Sequence, residues 1–337
     1  MLPLSSTTVA RCLRHWKKNL IALLTLLSIT VFSLDCQAQD GNKQTIGIGF
    51  QKGSGLLSIL KQNGSLEKAL KPLGYQVRWI EFPAGPQLLE ALNAGSVDFG
   101  LTGAPPPVFA QAAGIDLLYV GAEPPSPSTE AIVVPQQSPL HSVAQLKGKK
   151  VAFQKGSSGN FLIVDALENA GLHLSDIQPI YLSPADARAA FISGSVDAWV
   201  IWDPYLAAAQ KSLQVRVLTD HHGLLQVYSY YEASRRLAQG APQALSLILA
   251  QLDSTGVWAS NHLPQVIALI AADLGIAPDV VDTWQRRTAY GVKPISAAMI
   301  SSQQQVADRF YRLKLIPKAV TISQQVWHWQ PATPTAP

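Results

Sequence analysis

The chain has 337 residues, of which 47% are hydrophobic and 14% charged, with a formal net charge of +4 and two cysteines. That length buries a large core and exceeds one ordinary domain. Four of the cations, Arg11, Arg14, Lys17 and Lys18, lie ahead of one apolar run; without them the rest is nearly neutral, which excludes the basic surface that nucleic acid or an anionic membrane requires.

The cations and the apolar run 20–34 together have a secretory signal layout. The run is shorter than the roughly 20 residues of a membrane span. Cys36-Gln37-Ala38 supplies small residues at the third and first positions before a cut after Ala38. A lipoprotein site at Cys36 needs a small residue just before it, and Asp35 stands there. The expectation is an exported protein with 1–38 removed. Cys12 and Cys36 leave with that segment, so no disulfide, thiolate nucleophile or cysteine metal site is expected. No second stretch is long and apolar enough to span a bilayer, so the exported part is expected to be soluble.

In chain order, β-branched runs predict strands near 45–50, 76–82, 97–101, 150–154 and 196–201, separated by helical stretches. The alternation reads as mostly parallel α/β. From Pro242 the pattern turns helical, and Pro264 and Pro278 each suit a first helical turn.

One internal echo organises these elements. Phe50-Gln51-Lys52-Gly53-Ser54-Gly55 returns as Phe153-Gln154-Lys155-Gly156-Ser157-Ser158, and Gly95-Ser96-Val97-Asp98 returns as Gly194-Ser195-Val196-Asp197. Two matches in the same order at nearly the same offset predict two similar α/β lobes. The stiff segment 124–129 and the extended run 226–232 are the candidate hinge crossovers. The expected division is a signal peptide at 1–38, a first lobe from 39–130, a second lobe from 131–230, and a mostly helical return to the first lobe at 231–337.

Ligands of α/β sheets sit beyond the carboxyl ends of strands, at helix N-termini whose free N–H groups favour anions. The echo places Gln51 and Ser54 in one such turn, and Ser157 and Ser158 in the other. Thr102-Gly103 and Trp202-Asp203 end the two strands that follow the Gly-Ser-Val-Asp turns, so they face the same crevice. The hydroxyls and glycine N–H suit an oxyanion, and the Trp202 indole suits an apolar tail. Tyr230, with Tyr228 and Tyr231 on the return crossover, completes the candidate ligand-binding set. Each residue also has a structural reading: serines cap helices, and Trp199 packs in a core. Glu81, Glu123 and Glu130 read as solvated or hinge-pairing. Gly47-Ile48-Gly49 falls inside a strand, not after it, so it is no dinucleotide fingerprint. Adjacent His221 and His222 cannot share a helical face, and neither a Gly-x-Ser-x-Gly elbow nor an HExxH motif occurs. No catalytic residue, metal site or cofactor is expected.

The chain resembles the periplasmic aliphatic sulfonate-binding proteins of bacterial ABC importers over nearly all of its exported part. The resemblance is carried by Glu81-Phe82-Pro83-Ala84-Gly85-Pro86-Gln87, by Pro106-Pro107 with Phe109-Ala110-Gln111-Ala112-Ala113-Gly114, and by Val151 to Ser158. It continues through Pro184-Ala185-Asp186-Ala187-Arg188-Ala189-Ala190-Phe191, Val196-Asp197-Ala198-Trp199 and Ile201-Trp202-Asp203-Pro204-Tyr205. It implies a type II periplasmic-binding fold, capture of alkanesulfonates by a monomer, and delivery to an inner-membrane permease with a cytoplasmic ATPase. Gln51, Thr102, Gly103, Ser157, Ser158, Trp202 and Asp203 fall on matching segments. Where related proteins carry an aspartate after Thr-Gly, this chain has Ala104; the change removes one partner for a substrate ammonium and argues for an uncharged tail over taurine. The competing expectations are a binder of taurine, nitrate or a thiamine pyrimidine precursor, and a desulfinase-like enzyme on the same fold. That enzyme chemistry uses a cysteine, and none remains after removal of 1–38.

Overall fold

The computed structural model describes residues 44–330; the signal segment and the cut after Ala38 lie outside the described residues. The strands are β1 (Gln44–Phe50), β2 (Tyr75–Glu81), β3 (Phe99–Thr102), β4 (Leu117–Ala122), β5 (Glu130–Pro135), β6 (Lys150–Phe153), β7 (Gln178–Tyr181), β8 (Ala198–Trp202), β9 (Val215–Asp220) and β10 (Tyr230–Ser234). The helices α1 (Gly55–Asn63) and α2 (Ser65–Leu70) follow β1, α3 (Gly85–Asn93) follows β2, and α4 (Pro105–Ala112) follows β3. In the second half α5 (Ser158–Asn169), α6 (Pro184–Ile192) and α7 (Tyr205–Ser212) follow β6, β7 and β8. After β10 come α8 (Arg235–Gly240), α9 (Pro242–Asn261), α10 (Leu263–Leu274), α11 (Pro278–Gln285) and α12 (Ala297–Arg312). No helix among the described residues is long and apolar enough to cross a membrane.

The strands form two five-stranded sheets, ordered β2-β1-β3-β10-β4 and β7-β6-β8-β5-β9. The orders are equivalent: β1 corresponds to β6 and β3 to β8, the strands that flank the echoed sequences. Each sheet is mixed, because β10 runs antiparallel between β3 and β4, and β5 antiparallel between β8 and β9. These two strands bring the chain across from one lobe to the other. A mostly parallel sheet with one reversed strand follows from that path, and α/β alternation does not reveal the reversal.

The Gly-Ser-Val-Asp echo has one structural job in both lobes. Gly95 and Gly194 sit at φ of 76° and 72°, a left-handed turn that glycine adopts without strain. The aspartate then clips the adjoining strand. Asp98 accepts from Gly47 N at 2.9 Å and its own N–H donates to Gly47 O at 2.7 Å; Asp197 does the same with Lys150, at 2.8 Å each way. The aspartates are occupied in these clips, so β3 and β8 begin two residues later than the valines predict.

Apolar faces bury both sides of each sheet. Ile46 and Ile48 of β1 pack with Leu245, Ile248 and Leu252 of α9, Val266 and Ile270 of α10, and Trp284 of α11. The C-terminal helices therefore cover the first sheet, with Pro242, Pro264 and Pro278 in first turns where a missing N–H costs nothing. Trp199 is fully buried beside Phe191, at a ring separation of 5.8 Å. The lobes also meet away from the cleft. Phe161 of α5 shares a buried cluster with Val108 of α4 and Phe310 of α12, and Arg309 of α12 pairs with Asp165 and Glu168 of α5.

Candidate functional site

Between the carboxyl ends of the two sheets lies a cavity of about 560 Å³. Gln51, Ser54, Thr102, Gly103, Ser157, Ser158, Trp202 and Asp203 all line it, together with both crossovers. Tyr230 does not. It is 1% exposed, its hydroxyl donates to Met299 O at 3.1 Å, and its ring packs edge-on against Tyr119. As the first residue of β10 it points into the core; Tyr228, two residues earlier, lines the cavity.

Two glycines set how closely the lobes approach. A Cβ on Gly103 would stand 2.8 Å from Ser158 Cβ, and one on Gly53 would stand 2.8 Å from Asp203 O. Both partners belong to the other lobe, so any side chain at either glycine would wedge the strand ends apart. The Trp202 indole lies against Gly53, forming an apolar wall beside the turn.

The hydroxyls behave differently from the expectation that they donate into the cleft. Ser157 caps α5, accepting from Asn160 N and donating to Gln154 O at 2.7 Å. Ser158 donates to Glu130 Oε1 at 2.7 Å, and Thr102 donates to Glu232 Oε1 at 2.8 Å. Gln51 spends one amide hydrogen on Leu101 O. The N–H groups of Ser54 and Gly55 turn inward to Gln51 O and Gly53 O, and α4 opens with three prolines, which carry no N–H. The first-turn N–H groups of Ser158 and Gly159 on α5 remain, since a helix leaves them without an internal partner. They concentrate the positive end of the helix dipole on the cavity, opposite the Gly103 backbone.

No lysine or arginine lines the cavity among the described residues, yet three carboxylates do: Glu123, Glu130 and Asp203. Asp203 is held by Arg287, Nε to Oδ2 at 2.7 Å and Nη2 to Oδ1 at 2.6 Å, and accepts from Ala207 N at 3.0 Å. Burial pushes its carboxyl up and Arg287 draws it back. Glu130 accepts from Ser158 and contacts His221 Nε2 at 2.8 Å, joining β5 to the return crossover. Glu123 has the Tyr231 hydroxyl at 2.6 Å, and burial raises its carboxyl to about 7. Behind Thr102, Glu232 is fully buried, and burial pushes it far above the carboxylate range. Glu81 is not among the lining residues. The sequence reads Glu81, Glu123 and Glu130 as solvated or hinge-pairing; Glu123 and Glu130 instead line the cavity, although Glu130 also contacts His221 of the return crossover. Sequence reasoning missed Arg287, which lies 84 residues from Asp203 with no motif around it.

A model of NMT1/THI5-like proteins matches residues 74–250, more than half of the chain. The chain belongs to that family. It is 47% identical over 308 residues, 91% of this chain and 95% of the other, to the Escherichia coli (strain K12) protein named for binding aliphatic sulfonates. The family fold also matches two solved structures closely. The periplasmic aliphatic sulphonate binding protein SsuA from Escherichia coli has a TM-score of 0.77 at 45% identity, over 87% of this chain and 95% of that one. The alkanesulfonate-binding protein SsuA from Xanthomonas axonopodis pv. citri, bound to MOPS, has a TM-score of 0.80 at 43% identity, over 84% and 98%. The two-lobed architecture is thus that of the periplasmic binding proteins.

Proposed function

We propose that this protein is the substrate-capturing component of an ABC importer: it binds aliphatic sulfonates in the periplasm and hands them to an inner-membrane permease driven by a cytoplasmic ATPase. It is a binding protein, not an enzyme. The observation that carries the reading is the placement of the α5 N-terminus and the Gly103 backbone across one cavity with Trp202 beside them. The N–H groups suit a sulfonate headgroup and the indole suits a carbon chain. Gln51, Thr102, Ser54 and the two serines shape the headgroup pocket, with the α5 N–H groups as principal donors. Hydrogen bonds to a charged group contribute about 1.5–3 kcal/mol each, so four contribute about 6–12 kcal/mol, a range that brackets the roughly 8 kcal/mol of micromolar binding.

The proposal includes export with cleavage near Ala38, action as a monomer, and lobes spanning 39–130, 131–230 and 231–337, the last returning to the first lobe. The first crossover follows the expected 124–129, whereas the second is 221–229, because 230–232 of the expected run belong to β10; the two run side by side, His221 N donating to Pro127 O and Glu123 N to Ser229 O, which supports hinge closure about them. Titration calorimetry with methane-, butane- and octanesulfonate, sulfate, nitrate and taurine tests the reading. Saturable binding of alkanesulfonates without product formation is expected; binding of nitrate or sulfate alone would overturn it.

A further inference from the structure

The turn Thr102-Gly103-Ala104 is the first lobe's share of the headgroup pocket, and it has few donors to offer. Pro105, Pro106 and Pro107 follow it and carry no N–H, so the first turn of α4 adds none. The backbone N–H groups of Gly103 and Ala104 are left. Neither donates to a protein acceptor among the described residues, and both residues line the cavity.

Where those two N–H groups point depends on the conformation of Ala104. A residue before proline prefers an extended backbone, yet Ala104 is helical, at φ −58° and ψ −45°. Its carbonyl is held from behind the cavity. Gln303 of α12 is fully buried, and its Nε2 donates to Ala104 O at 2.6 Å and to the Tyr119 hydroxyl at 3.0 Å. A carbonyl only accepts, so the nitrogen end of the amide has to face Ala104 and the side chain has one orientation. The neighbouring peptide is fixed from the same side, since the Thr102 hydroxyl that donates to Glu232 also lies 3.1 Å from Gly103 O.

Packing alone would not select this glutamine. Its surroundings are Val108, Val306 and Phe310, and its Oε1 is buried without a partner, which an apolar side chain would avoid. Gln303 is not among the lining residues. We infer that Gln303 is a positioning residue for the ligand: by holding the Ala104 carbonyl it presets the Gly103 and Ala104 N–H groups toward the sulfonate oxygens without touching the ligand itself. The inference rests on the sulfonate reading above. Donors that are preset need no reorganisation when the anion arrives, which favours binding.

The test is Gln303→Met, similar in length and apolar, with affinities for methane-, butane- and octanesulfonate measured by titration calorimetry beside the native protein. The headgroup is common to the three ligands, so the variant is expected to lose about tenfold on each, with the ratio between octane- and methanesulfonate kept. Native affinities with a lowered melting temperature would make Gln303 a core residue only and overturn the assignment. A loss that grows with chain length overturns it too, because the tail is then the group affected. A native protein that binds none of the three overturns the sulfonate reading itself. A second measurement needs no variant and covers a Gln303→Met protein that does not fold. In isotope-labelled native protein without ligand, the Gln303 side-chain amide protons are expected to exchange with solvent about a hundredfold more slowly than those of the exposed Gln137. Methanesulfonate is expected to shift the Gly103 and Ala104 backbone amide resonances. Fast exchange at Gln303, or Gly103 and Ala104 amides that the ligand leaves unmoved, rejects the assignment.

Discussion

Ser158 Oγ donates to Glu130 Oε1 at 2.7 Å, so the hydroxyl hydrogen of a residue at the mouth of α5 points away from the ligand cavity. What Ser158 offers an anion is its backbone. Ser158→Ala should therefore change butanesulfonate affinity by only a few-fold, less than the roughly 1.5–3 kcal/mol of a lost charged hydrogen bond. Ser157→Ala should instead lower the melting temperature, because it removes the α5 cap, a loss of about 1 kcal/mol. Calorimetry and thermal melting on the two variants check the division; a hundredfold affinity loss for Ser158→Ala would show that its hydroxyl turns to the ligand.

Gly103→Val should act on closure and not on folding. The added side chain meets Ser158 of the facing lobe, and the lobes can relieve the clash by staying apart. The melting temperature without ligand should hold while sulfonate affinity falls at least tenfold, and X-ray scattering should no longer show the ligand-induced decrease in radius of gyration expected of the native protein.

Trp202→Ala should bias the ligand series. The indole lines the cavity and touches the Gly53 turn, so its loss removes apolar contact worth about 25 cal/mol per Å². Octanesulfonate should lose more affinity than methanesulfonate. An equal loss along the chain-length series would place the indole outside the tail path.

Glu123 should impose a pH dependence on stability. Its carboxyl ordinarily titrates near 4.5 and is raised by burial to about 7 in the folded protein. The folded state therefore binds this proton more tightly than the unfolded one. The contribution is fully present below about 4.5 and is lost as pH rises through about 7. Glu123→Gln should flatten that part of the decline in melting temperature between about pH 5 and pH 8, with Glu232 contributing equally to both proteins. Superimposable melting profiles would mean that Glu123 is charged throughout.

Local chemistry and repetition made much of this protein readable in advance. The β-branched runs located five of the ten described strands and the prolines marked the C-terminal helices, and the echoed turns announced two lobes, because the same backbone problem, a left-handed glycine followed by an aspartate clip, has the same local solution twice. Eight of nine candidate residues lie at the cavity for the same reason: ends of strands are local features, and α/β topology places them at one crevice. Direction and partnership needed the tertiary structure. Tyr230 and Tyr228 differ only in which way a crossover strand turns. The hydroxyls of Thr102 and Ser158 are claimed by Glu232 and Glu130, 130 and 28 residues away in the chain. Asp203 is spoken for by an arginine on a distant helix end. Those outcomes follow from which buried polar groups meet across the sheets and the cleft, a pairing that no local pattern encodes.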